Sequence, residues 1–154
     1  MALDLAVDDG VTLPAALKQR LVTEVGRMVR AAARSDKRVD FEVGLRLTTD
    51  KEIRELNRDF RNKDKATDVL AFAQREGPAG VLHPELLGDI VISVDTARRQ
   101  AKRGLAAELL HLAAHGLCHL LGYDHRDDAE ERVMNARAAA LRAEGARRGR
   151  IKAA

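Results

Sequence analysis

Four of the five histidines of this 154-residue chain fall between positions 111 and 125, in the segment HLAAHGLCHLLGYDH. A helix turns about 100° per residue, so His115 and His119 are offset by about 40° and one turn, and both imidazoles can reach one point off the helix surface. Gly122 can take the left-handed conformation that ends a helix, which lets the chain double back and bring His125 to the same point. Three neutral imidazoles around zinc leave a fourth position open to water, the arrangement of catalytic rather than structural sites. Zinc so held lowers the pKa of water from about 15.7 to about 7 and polarises a phosphoryl or carbonyl oxygen. The expectation is a metal-dependent hydrolase with one Zn2+ per chain on His115, His119 and His125. Asp124 is the nearest group to orient a ligand by a hydrogen bond.

The neighbouring polar groups fit less well. His111 lies a turn too early and reads as a packed, hydrogen-bonded histidine. Cys118 stands about 60° round the helix from His115 and about 100° from His119, so it is expected to pack inward as a small hydrophobe. The pair His115 and His119 has the spacing of His-Glu-x-x-His metalloproteases, whose Glu follows the first His as general base. Here that position is Gly116, so a peptidase of that class would lack its base.

Several elements must position these side chains. Thr12, Pro14 and apolar positions from Leu17 to Ala32 predict a first helix ending near Ser35. Alternation over 41–48 predicts a half-buried strand. Thr49-Asp50-Lys51-Glu52 is a capping box opening a short helix with Ile53, Leu56, Asn57 and Phe60 on its inner face. A turn at 62–65, a strand at 69–73 and an exposed loop at 74–84 follow. The apolar run 87–94 predicts a central strand covered on both faces. Asp95 can cap a helix over 96–102, and the histidine helix spans 106–121. Asp127 and Glu130 then cap a last helix with Ala129, Val133, Met134, Ala136, Ala140 and Leu141 facing inward. The sum is one α+β domain over residues 1–154, a small mixed β-sheet covered by helices, with the metal-binding helix near the C-terminal end.

Composition narrows the function classes. A single cysteine excludes an intramolecular disulfide and a zinc ribbon of paired cysteines, so any metal must use His or carboxylate. Net charge is +3, too small to mark a nucleic-acid-binding chain by itself. The basic stretch 142–152 reads as a solvated helix end rather than a phosphate-binding arm. The first ten residues hold three Asp and no basic residue, unlike a secretory or transit leader, so the expected location is cytoplasmic. Residues 104–123 approach the length of a membrane span but include Glu108 and four histidines, and they read as a buried helix with no membrane role.

The segment HGLCHLLGYDH resembles the signature of the YbeY family of bacterial endoribonucleases. LNRDFRNKDKATDVLAF, from Leu56, and LLGDIVIS, from Leu86, resemble two further blocks of that family, in the same order. Cys118 stands where the family usually has an aliphatic residue, and Ala71 where Ser is common. The resemblance implies a zinc-dependent endoribonuclease specific for single-stranded RNA, acting in maturation of the small-subunit (16S) ribosomal RNA 3′ end and in ribosome quality control. Its partners would be ribosomal RNA, the small ribosomal subunit and assembly factors, with no DNA expected. It places the metal triad at His115, His119 and His125 and a functionally important arginine at Arg61. Arginine suits that role, because its fork of donors clamps phosphate oxygens and stabilises charge that builds in the transition state. Without the resemblance, Arg61 would read as a surface residue paired with Asp59 or Asp64. Lys63 and Lys65 would add a basic rim. Two other readings compete: a non-catalytic ribosome-assembly factor with a structural zinc, and another zinc hydrolase acting on peptides or small molecules.

Overall fold

The structure, a computed structural model, describes residues 2–35, 41–74 and 85–147. Along these residues the elements are β1 (Leu3–Val7), α1 (Ala15–Ser35), β2 (Glu42–Thr48), α2 (Asp50–Arg61), β3 (Val69–Ala73), β4 (Leu86–Ser93), α3 (Val94–Gln100), α4 (Leu105–Leu120) and α5 (Asp128–Ala146). The strands form one sheet in the order β1-β2-β4-β3. β1, β2 and β4 run parallel, and β3 is antiparallel to β4. The expected α+β architecture with a small mixed sheet is therefore present.

β1 is the element that local patterning missed. Its five residues carry Asp4 within them, and its ladder is made with residues forty positions away, Leu3 opposite Val43 and Val7 opposite Leu47. β4 lies between β2 and β3 and is the inner strand that its apolar run predicts. From Ile90 its side chains alternate: Ile90 and Ile92 join the main core, whereas Val91 joins a smaller cluster with Ile53 and Leu70. The two faces are thus distinct. α1 and α4 lie on the first with α5 packed against both helices, and α2 packs on the second.

The caps follow the residue chemistry. Thr49 Oγ1 accepts from the backbone N–H of Glu52, and Asp127 accepts from that of Glu130. α3 is capped by Ser93, not Asp95, and starts two residues before the expected position. The last strand residue turns directly into the helix, and Asp95 in its first turn instead accepts from Asp50 N at 2.9 Å. Asp50 returns the tie by accepting from Ser93, Thr96 and Arg99. The N-termini of α2 and α3 are joined by these bonds.

Two inner faces differ from expectation. On α5, Met134, Ala138, Leu141 and Gly145 are buried, while Ala129, Ala136 and Ala140 are exposed and Val133 is 57% exposed. Weakly apolar alanines at many positions leave that face undefined in the sequence. Contact with α1 selects it, since a Cβ on Gly145 would stand 2.7 Å from Glu24 O. On α2, Ile53 and Asn57 are buried and Leu56 is half-buried, but Phe60 is 69% exposed. Residues 75–84 of the expected loop and residues beyond 147 of the basic C-terminus lie outside the described residues. Among the described residues no helix is long and apolar enough to cross a membrane.

Candidate metal centre

α4 is apolar on most of its circumference. Leu109, Leu110, Leu112, Ala113, Leu117 and Leu120 are buried in the main core, and positions 111, 115 and 119 form the remaining stripe, one turn apart. Gly116 sets how closely this helix approaches the sheet, because a Cβ there would lie 2.6 Å from Ile90 Cγ2. A side chain at 116 would point into the sheet and away from the histidine stripe. The missing glutamate of the metalloprotease pattern thus has a packing reason. Cys118 is buried as expected: its thiol donates to Met134 O at 3.9 Å, and burial pushes its pKa up to about 11. A thiol so held stays protonated and is no ligand.

The return of the chain to the helix is built by Gly122, at φ 100°. Gly122 N donates to His119 O and Tyr123 N donates to Cys118 O, each at 3.0 Å, the pair of bonds that defines a Schellman motif. Asp124 Oδ1 accepts from the His125 backbone N–H at 2.8 Å and fixes the next turn. Asp124 thereby contacts His125 through its backbone rather than its ring. His125 ends with its ring centroid 5.2 Å from that of His119, nearly edge-on. His119 is half-buried, and burial first, then the neighbouring His125, hold its pKa below the ordinary histidine value. At neutral pH its ring is uncharged, the form that binds metals.

His115 stands one turn before His119, but its ring is engaged elsewhere. Nδ1 donates to His111 O at 3.1 Å, and Nε2 lies 3.1 Å from Oδ1 of Asn135 on α5. The carbonyl can only accept, so Nδ1 carries the proton and Nε2 presents a lone pair when the ring is neutral. An Asn135 amide turned over offers its NH2 group to that lone pair. His111 is at the surface rather than packed in the core, with its ring centroid 4.3 Å from that of His115. Partial burial and the adjacent His115 lower its pKa.

The structure thus brings His119 and His125 together and keeps His115 against Asn135. Among the described residues no three His, Cys, Asp or Glu side chains converge closely enough to hold one ion. The donor chemistry nonetheless fits zinc. The set is imidazole throughout, His119 is held neutral, and the His115 ring is oriented by a backbone carbonyl on Nδ1, so that Nε2 is the atom that could ligate. Asn135 is a polar partner that the sequence reading lacked. Only the packing of α5 on α4 reveals that it faces His115.

Arg61 does not contact the histidines. It ends α2, on the opposite face of the sheet from α4, and is exposed with no hydrogen bond or ion pair among the described residues. The partners it would have as a surface residue are taken: Asp64 pairs with Arg54 at 2.8 Å and Asp59 with Arg58 at 3.0 Å. The Arg61 guanidinium is free to meet an anion.

The family model described as Endoribonuclease YbeY matches residues 9–144. A protein of Anaeromyxobacter dehalogenans named Endoribonuclease YbeY is 52% identical over 113 residues, covering 70% of this chain and 56% of its own length. One of the same name from Syntrophotalea carbinolica is 48% identical over 107 residues, 66% of this chain and 71% of its own. The solution structure of a Thermotoga maritima protein superposes with a TM-score of 0.53 at 26% identity, covering 92% of this chain and 89% of that one.

Proposed function

As the chain belongs to the YbeY endoribonuclease family, we propose that it is a zinc-dependent endonuclease of single-stranded RNA, acting in the cytoplasm on the 3′ end of 16S ribosomal RNA and in ribosome quality control. In this role it works on the small ribosomal subunit and beside its assembly factors. The observation that carries the reading is the Schellman turn at Gly122, which returns His125 to the ring of His119 one helical turn beyond His115. The turn is a common way to end a helix; what it adds here is the placement of two imidazoles side by side.

His115, His119 and His125 would hold one zinc ion. When bound, zinc supplies Lewis acidity toward a phosphoryl oxygen and lowers the pKa of water. The chain supplies the rest. His119 stays neutral through burial, so its lone pair is available at neutral pH. The His111 carbonyl keeps the His115 proton on Nδ1. Arg61, with no acidic partner among the described residues, would bind a substrate phosphate through its fork of donors.

The test pairs a substrate assay with metal analysis. Protein purified with zinc should cleave a single-stranded RNA oligomer and leave a duplex and an unstructured peptide intact. Chelation should stop cleavage while the circular dichroism of the fold persists, since the α4 core is apolar and closed without a metal. Unfolding on chelation would make the zinc structural instead. In cells lacking the protein, 16S ribosomal RNA with an unprocessed 3′ end is the expected product, and a mature end would overturn the assignment.

A further inference from the structure

Phe60 contradicts the amphipathic pattern of its own helix. It occupies a position whose spacing from Ile53 and Asn57 predicts the inner face, yet it is 69% exposed, more than the other large apolar side chain left outside among the described residues. The whole chain has only three Phe, one Tyr and no Trp. Leaving one of four aromatic rings in water forfeits roughly 25 cal/mol for each Å2 of apolar surface not buried. A binding partner that covers the ring recovers it.

The ring is also braced. Phe72, from β3, meets Phe60 with ring centroids 5.6 Å apart and planes inclined by 72°. Whichever ring presents its edge in such a T-shaped pair, at least one face of Phe60 remains open. The charge around it is positive. Arg54 and Arg58 are neutralised by Asp64 and Asp59, whereas Arg61, Lys63 and Lys65 have exposed side chains with no ion-pair partner among the described residues. Position in the fold matters as well. β3 is an edge strand, with Phe72 directed to the α2 face and Ala71 and Ala73 to the face that carries α4 and its histidines. The patch and the candidate metal centre are therefore on the two sides of a single edge strand.

We infer that Phe60, braced by Phe72 and flanked by Arg61, Lys63 and Lys65, is a stacking platform for a base of single-stranded RNA. A flat open aromatic face takes any base, and adjacent unpaired cations take the phosphates on either side of it. An acidic protein surface would use the cations but has no equal need of an open ring face, so the combination favours a nucleic-acid strand. This deepens the nuclease reading and rests on it: the platform would hold substrate that passes over the β3 edge.

The experiment uses the zinc-loaded full chain and two probes of equal length, single-stranded oligoadenylate and an abasic ribose-phosphate strand, with binding read by stopped-flow anisotropy before turnover. The wild type should prefer oligoadenylate. F60L should weaken oligoadenylate binding about tenfold, within the range for one stacked base, and leave the abasic strand unaffected. F60W should keep the preference, and its indole, alone in a chain without tryptophan, should be quenched by oligoadenylate and not by the abasic strand. F60L that binds oligoadenylate as the wild type does, or that loses both strands equally, would overturn the platform while leaving the nuclease intact. A wild type that neither binds nor cleaves single-stranded RNA would remove the nuclease reading first, and the platform with it.

Discussion

Asn135 Oδ1 lies 3.1 Å from Nε2 of His115, the nitrogen that a metal would take. The two residues sit on different helices, α5 and α4, so the packing of one helix on the other decides how available the third imidazole is. If zinc takes Nε2, the contact with Asn135 must be given up. N135A should therefore bind zinc more tightly, by about fivefold if a hydrogen bond worth about 1 kcal/mol is released. Competition against a chromophoric chelator measures it. Weaker binding in N135A would mean that Asn135 holds the ring in its ligating orientation instead.

Arg61 and His119 should fail in different ways. R61A should lose about tenfold or more in RNA binding, the worth of one charge-assisted phosphate contact, with zinc content and fold retained. H119A should lose zinc and activity together, because two imidazoles seldom hold zinc without a third protein ligand. RNA binding by R61A as tight as that of the wild type would return Arg61 to the status of a solvated surface residue.

Gly116 should be the least replaceable residue of the histidine helix that is not itself a ligand. G116A puts a Cβ 2.6 Å from Ile90 Cγ2, and overpacking of that kind costs about 1–3 kcal/mol. Urea denaturation should show this loss in G116A and less than the additive loss in G116A combined with I90A, since the second change removes the colliding methyl. Additive losses would place the strain elsewhere.

Two carboxylates should make the fold acid-sensitive. Hydrogen bonds from the Arg46 guanidinium, aided by Thr48, hold Asp8 below the usual carboxylate range against the opposing effect of burial. Burial pushes Asp50 upward most strongly, yet hydrogen bonds from Ser93, Thr96 and Arg99 together outweigh it and leave its pKa lowered. A folded pKa below the unfolded value of about 3.9 contributes stability that is present above that value and is lost as pH falls through the folded pKa. Denaturation midpoints should thus fall more steeply below about pH 4 in the wild type than in D8N or D50N. Equal slopes would show that neither ion pair contributes.

What could be read from the sequence was local. The spacing of His115 and His119, the terminating glycine at 122, the caps Thr49 and Asp127 and the inner strand β4 all depend on residues within a turn or two of one another, where backbone geometry fixes the outcome. The family signature was legible for the same reason, as contiguous blocks. Whatever depended on contacts between distant elements was not. β1 exists because Leu3 finds Val43, Gly116 is required because Ile90 is under it, and Asn135 matters because α5 lays it beside His115. Arg54 and Arg58, rather than Arg61, take the two aspartates, which leaves Arg61 unpaired among the described residues. A period of 3.6 residues points Phe60 inward, and the tertiary structure leaves it outside because the second sheet face that α2 covers is filled by Ile53, Leu70 and Val91 before the helix ends. Periodicity says which residues share a face, but only the extent of the opposing surface decides how far along the helix that face is covered.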